Sequence, residues 1–182
     1  TEALLYISKF SNKMGSVEEG TTVSDFDQEE TSRLFSINTS IVPVEYGDCK
    51  YNFLDTPGYF DFSGEVYSAV RVSGSAVIVM DATSGVEVGT EKAWRILEEK
   101  KLPRIIFINK MDKGYINYEK LLHEMKEKFG KKIAHVCVPI GDKEEFTGFV
   151  NIVELIGRIF NGVECVDGPI PEDLDIYSKA SV

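Results

Sequence analysis

Apolar and polar positions fall into a repeating pattern along most of the chain. Ala76-Val77-Ile78-Val79-Met80 and Arg104-Ile105-Ile106-Phe107-Ile108 are apolar runs closed by Asp81 and Asn109. Runs of this kind predict strands buried on both faces. Between them, a helix starting near Thr90 turns Ala93, Trp94 and Leu97 inward and ends before Pro103. A second amphipathic helix, Asn117 to Phe129, carries Leu121, Leu122, Met125 and Phe129 on one face, with Gly130 as its stop. Ser63 can cap a shorter helix bearing Val66, Ala69, Val70 and Ser73, stopped by Gly74. Upstream, Phe35–Tyr46 reads as a strand, Gly47-Asp48 as a hairpin turn, and Cys49–Leu54 as the returning strand. The first residues, Thr1 to about Lys13, read as a helix with Leu4, Leu5 and Ser8 on one stripe. Strands alternating with helices predict an α/β fold, a mostly parallel sheet in three layers with helices on both faces.

The rhythm changes after Lys132. Residues 134–140 and 146–153 read as short strands joined by an acidic turn, with a helix or strand near 156–160 and a Pro-rich, acidic tail from Val166. The expected organisation is a core over residues 1–132 and a small partial α+β insert over 133–182. One stretch has no periodicity: Gly15 to Glu30 is polar and acidic, and reads equally as a mobile functional loop or a solvated connection.

Composition narrows the function classes. The chain has 182 residues, 43% of them apolar, and a net charge of −10. That charge argues against DNA or RNA held by the surface of this segment itself. Cys49, Cys137 and Cys165 lack metal-ligand spacing, which suits free thiols in the cytoplasm. His123 and His135 are too far apart to suggest a metal site. No apolar run reaches membrane-spanning length, so no membrane partner is expected.

The candidate chemistry sits at strand ends. Asp55 closes the strand Tyr51-Asn52-Phe53-Leu54, which is expected to run into the core, and Thr56-Pro57-Gly58 turns abruptly after it. An acid at a strand tip can hold magnesium through water, and a glycine N–H can point at a terminal phosphate. The same residues also describe an ordinary strand-to-loop turn. The second motif weighs against that plainer reading. Asn109-Lys110-Met111-Asp112 ends a predicted buried strand. The Asp112 carboxylate can accept two hydrogen bonds from guanine, at N1–H and at the exocyclic amine; adenine lacks that pair of donors. Asn109 can bridge the base edge to backbone, and the Lys110 stem can cover the ring. Hydrogen bonds to a charged group are worth about 1.5–3 kcal/mol each, enough to select a base. Both motifs are expected on the carboxyl edge of one sheet, where such sheets bind ligands.

Read with their neighbours, these residues resemble the GTP-binding domain of translation elongation factor G, and most of all its elongation-factor-G-like variant branch. The resemblance rests on Thr1-Glu2-Ala3-Leu4-Leu5, Asp55-Thr56-Pro57-Gly58 with Asp61-Phe62, and Gly85-Val86-Glu87. It extends through Pro103-Arg104-Ile105, Asn109-Lys110-Met111-Asp112, Pro139-Ile140-Gly141 and Phe146-Thr147-Gly148. Tetracycline-resistance ribosome-protection proteins share much of this pattern. The resemblance implies a P-loop-NTPase-like fold, GTP or GDP with Mg2+, and a monomeric, cytoplasmic translation factor that hydrolyses GTP on the ribosome. Most contacts to ribosomal proteins and rRNA would come from other domains. The insert would begin the subdomain that meets ribosomal stalk protein. A slow-turnover, nucleotide-gated ribosome-binding protein, such as a protection or recycling factor, is the alternative.

Three departures from the family pattern matter. The Gly-rich phosphate loop and the first strand, placed in the family before the residues matching Thr1, are absent from the sequence, which suggests upstream residues and an inactive isolated segment. Tyr59 stands at the family's histidine position, beside Gly58, where the family orients the attacking water; it could equally only pack beside Phe60 and Phe62. Tyrosine has a pKa near 10 and cannot serve as a cation near neutrality, so slower or differently triggered hydrolysis is expected. The family's Arg-Gly-Ile-Thr-Ile becomes Arg33-Leu34-Phe35-Ser36-Ile37, in which Ser36 is either a magnesium ligand or a plain strand residue.

The base-reading role yields a direct prediction. Asp112→Asn should weaken GTP binding and favour xanthosine triphosphate, whose position 2 carries an acceptor. Competition binding checks this, and an unchanged preference removes Asp112 from the base site.

Overall fold

The structure, a computed structural model, describes residues 1–113, 116–130, 133–141, 146–162, 164–172 and 174. The expected acidic turn at 142–145 and the end of the tail lie outside the described residues. The chain divides into two compact units. One comprises Thr1–Ala76 with Ile96–Arg104; the other comprises Val77–Arg95 with the described residues from Ile105 onward.

The first unit opens with α1 (Glu2–Ile7), shorter than expected. Lys9 takes a left-handed conformation at φ +61°, and Phe10 folds its N–H back to the Leu5 carbonyl. That reversal ends the helix well before Lys13. Of the predicted stripe only Leu5 is fully buried. It packs with Val42 and Val44 of β1 (Ser40–Tyr46) and with Phe53 of β2 (Cys49–Asp55). These two strands form an antiparallel hairpin, from Ser40 opposite Asp55 to Tyr46 opposite Cys49. Gly47 turns it at φ +59°, a conformation that suits glycine. Strand β1 starts at Ser40 rather than Phe35, so Ser36 lies in the preceding loop and not in the strand. Tyr51 is 46% exposed, so β2 enters the core less than its composition suggested.

The polar segment 15–39 is folded. It contains α2 (Gln28–Arg33), which the absence of apolar periodicity hid. Asp27 caps the helix by accepting the Glu29 N–H, and Glu30 reaches back to the Asp27 N–H, a reciprocal capping box. The helix stops at Leu34, in the left-handed region at φ +61°. Glu30 is fully buried, and its other oxygen accepts the N–H groups of Ile37 and Asn38, both at 2.9 Å. Glu2 of α1 accepts from Gly15 and Val23. A β-carbon at Gly15 would stand 2.6 Å from the Thr21 carbonyl oxygen, so only glycine fits that approach.

After a single 3-10 turn (Phe60–Phe62) comes α3 (Ser63–Val72), then β3 (Ala76–Asp81), α4 (Val88–Glu99) and β4 (Arg104–Asn109). Strands β3 and β4 form a two-stranded sheet. The bonds flanking it, Ala76 to Pro103 and Ala82 to Asn109, advance in the same sense along both strands, so the pair is parallel. Burial on both faces was expected here and is not found. Ile78 and Met80 are buried, whereas Val77, Val79, Ile105 and Phe107 are more than half exposed. A continuous apolar run does not distinguish one covered face from two. Among the described strands, hydrogen bonds pair β1 with β2 and β3 with β4.

Helix α5 (Tyr118–Phe129) is as predicted. The Asn117 side chain accepts the Lys120 N–H, Gly130 ends the helix at φ +80°, and Leu121, Leu122, Met125 and Phe129 are buried. They join Met80, Ala82, Ile116 and Ile133 in one core, against which Trp94 stacks on Phe129 at 4.5 Å. The rest is an antiparallel sheet of four strands: β5 (Cys137–Ile140), β6 (Gly148–Asn151), β7 (Ile156–Phe160) and β8 (Cys165–Gly168). The stretch near 156–160 is thus a strand, and β8 occupies the start of what read as tail. Among the described residues, no helix is long and apolar enough to cross a membrane.

Burial alone would push the Glu30 carboxyl up, but the N–H groups of Asn38, Ile37 and Asp27 outweigh it and hold the carboxyl below its ordinary value. Glu30→Ala strands those donors and should lower unfolding free energy by about 2–4 kcal/mol in urea titration at neutral pH. A depressed carboxyl stabilises above its unfolded pKa and loses that contribution as pH falls through the folded one. The difference between wild type and Glu30→Gln should therefore shrink below about pH 4.3. A difference constant down to about pH 2 would contradict this.

Candidate functional site

Each predicted motif stands at the end of a strand, one in each compact unit. In the first unit, β2 delivers Asp55 opposite Ser40. Asp55 is half-buried, and its Oδ2 accepts a hydrogen bond from the Thr1 hydroxyl. Thr56 and buried Pro57 lead to Gly58, which is exposed with open space around it. Tyr59 follows, 58% exposed, and opens the 3-10 turn. Its ring meets Phe35, centroid to centroid 4.7 Å at 54°, and Phe35 also lies 6.2 Å from Phe62. Tyr59 is thus bound laterally to the loop that follows α2.

Ser36 is in that loop, and its hydroxyl donates to Asp25 Oδ1 at 2.6 Å. The two residues expected to share a magnesium ion therefore hold different partners here, Ser36 on Asp25 and Asp55 on Thr1. Among the described residues, no group of three His, Cys, Asp or Glu side chains could hold a metal. The two residues expected to hold the ion offer only oxygen, the Asp55 carboxylate and the Ser36 hydroxyl. That set fits magnesium, which retains several waters and asks for only one or two carboxylates.

In the second unit, β4 ends at Asn109, whose carbonyl accepts the Ala82 N–H at 3.0 Å. The chain turns at Lys110, left-handed at φ +61°, and the Lys113 N–H closes the turn on the Lys110 carbonyl. Met111 packs on the core around Met80 and Leu121, leaving Asp112 exposed beyond it. The Lys110 ammonium pairs with Asp81 Oδ2 at 2.6 Å, at the tip of the neighbouring β3. Asp81 Oδ1 accepts the Thr83 N–H at 2.8 Å and the Thr83 hydroxyl at 2.6 Å. The Lys110 ammonium, then the Thr83 hydroxyl and N–H, hold the Asp81 carboxyl far below the usual carboxylate range; Asp81 in turn raises Lys110. The sequence marks Asp81 only as a strand end. Its role as anchor becomes visible once β3 and β4 are neighbours.

An α/β chain with an Asp-Thr-Pro-Gly turn and an Asn-Lys-Met-Asp turn, each at a strand tip, defines a nucleotide-binding class. Residues 1–166 match the elongation factor Tu GTP binding domain, and the chain belongs to that family. It is 39% identical to elongation factor G of Chlamydia caviae over 178 residues, covering 96% of this chain and 26% of that protein. Elongation factor G of Granulibacter bethesdensis is 35% identical over 178 residues, with the same coverage of 96% and 26%. A crystal structure of a Thermus thermophilus protein superposes with a TM-score of 0.88 at 31% identity, covering 94% of this chain and 26% of that one. The fold is therefore that of an α/β GTP-binding domain of this family. The chain spans about a quarter of the length of the curated relatives it matches.

The Asp81 anchor predicts local behaviour. Asp81→Ala should raise amide exchange in residues 110–113 a few-fold at neutral pH while leaving α5 protected. Because the Asp81 carboxyl is depressed, the effect should be complete above its ordinary value, about 3.9, and fade as the solution is acidified below it. Equal exchange in both proteins at neutral pH would remove the anchor role.

Proposed function

We propose that this chain is the GTP-binding and GTP-hydrolysing domain of a translation factor acting on the ribosome, and that Asp55 and Asp112 are its metal-side and base-side acids. In this reading, residues 1–132 form the GTP-binding core and 133–182 begin an inserted subdomain. The observation that carries it is the placement of both family motifs at strand ends, with the Asn109–Asp112 turn fixed from behind by Asp81. Asn109, Lys110, Met111 and Asp112 would hold the guanine, Thr56, Pro57 and Gly58 the phosphate side, and Asp55 with Ser36 the Mg2+. The ion supplies charge neutralisation at the phosphates when bound. Ser36 would exchange Asp25 for that role. Gly58, unobstructed, would offer its N–H to the terminal phosphate. The 15–38 and 58–64 segments would close on GTP and relax after hydrolysis, the usual order change of such switches. The ribosome is the proposed partner, the domain a monomer, and the compartment the cytoplasm.

Tyr59 sets the expected rate. Its hydroxyl can orient a water through one hydrogen bond but lacks the two ring nitrogens of the histidine that the family places there. Ribosome-stimulated single-turnover hydrolysis by the full-length protein should be measurable, and Tyr59→His should speed it by about 10²-fold. No hydrolysis above the ribosome-free rate would overturn the enzymatic reading, and no gain with histidine would overturn the role given to Tyr59.

A further inference from the structure

The 15–39 and 58–72 segments are joined by a polar tie that the motif reading does not use. The Thr39 N–H donates to Glu65 Oε2 at 2.9 Å. Glu65 lies in the first turn of α3, which follows directly on the 3-10 turn after Gly58. Thr39 immediately precedes Ser40, the residue opposite Asp55 in the hairpin. The bond thus links the exit of one segment to the entrance of the other. The Glu65 carboxyl lies beside Thr39, which holds it below its ordinary value, so the acceptor is ionised at neutral pH and the bond from the Thr39 N–H is charge-assisted.

The segment behind Thr39 is itself coherent. Glu30 gathers the N–H groups of Asp27, Ile37 and Asn38, Asp25 accepts from Ser36, and the buried Ser40 hydroxyl donates to the Ser24 carbonyl. Residues 24–40 therefore form one hydrogen-bonded piece, and a pull at Thr39 acts on all of it.

We propose that Glu65 is a positioning residue that makes the 15–39 and 58–72 segments respond to guanine nucleotide as one body. The proposal rests on the GTPase reading above. With the bond intact, a rearrangement of either segment shifts the equilibrium of the other; without it, each answers its own ligand contacts.

Hydrogen exchange of the full-length protein tests this, with wild type, Glu65→Ala and Glu65→Gln compared without nucleotide, with GDP and with a non-hydrolysable GTP analogue. Without nucleotide, Glu65→Ala should speed exchange of residues 37–40 about tenfold. Glu65→Gln keeps an acceptor oxygen at the same reach and should stay within about threefold of wild type. With nucleotide, the protection changes of 36–40 and 59–68 should occur together in wild type and Glu65→Gln and separate in Glu65→Ala. Exchange at Val42 and Val44, buried in β1 of the same unit, reports whether a variant remains folded. Should the alanine variant unfold, joint changes in the glutamine variant support the proposal and separated changes overturn it. If Glu65→Ala folds and its two segments still change together, the proposal fails while the GTPase reading stands. If wild type shows no response to either nucleotide, the GTPase reading fails and takes this proposal with it.

Discussion

Ionised carboxylates that accept backbone N–H groups hold the polar segments of this domain in shape. The polar 15–39 segment buries few apolar side chains, so the hydrophobic effect cannot fold it unaided. Instead Glu2, Glu30 and Glu65 each take N–H groups from it. Asp81 does the same at the tip of β3, gathering Thr83 and the Lys110 ammonium. A buried charge is tolerable only when its lone pairs are this fully occupied. The net charge of −10 is thus partly structural, which the bare count does not reveal.

This division of labour sets the elements on apolar cores apart from the polar segments. The elements around α5 and the four-stranded sheet stand on apolar cores, with Val138 and Val150 fully buried. Such packing resists small perturbations. The 15–39 segment and the Asn109–Asp112 turn stand on hydrogen bonds that can be exchanged one for another at low net cost. Ser36 bonded to Asp25, and Asp55 bonded to Thr1, are arrangements of that exchangeable kind. A nucleotide and its magnesium would compete for the same oxygens. A switch needs segments whose alternatives lie close in energy, and in the proposed function these exchangeable bonds would supply them.

Much of this is legible in the sequence, and the failures have physical causes. Helix α5 announces both its caps and its buried face, and the ends of β2, β3 and β4 are marked by Asp55, Asp81 and Asn109. Helix α2 has no apolar stripe to betray it; only the Asp27–Glu30 capping box marks it, and that box is readable. The exposed faces of β3 and β4 cannot be foreseen, since composition records what a strand could bury and not what covers it. The partners of Ser36, Thr39 and Lys110 are distant in sequence, and only the fold brings them close. Motif identity is therefore clear from the residues, while the devices that hold the motifs are not.

In the proposed function, Asp112, on a strand-tip turn braced by the Asp81 carboxylate, would make this domain selective for guanine. Displacement of labelled GDP from the full-length protein by unlabelled GDP and by ADP, with magnesium present, tests it most directly. The account predicts that GDP competes at least about 100-fold better than ADP, as two charged hydrogen bonds to the base require. Equal displacement by both nucleotides would contradict it.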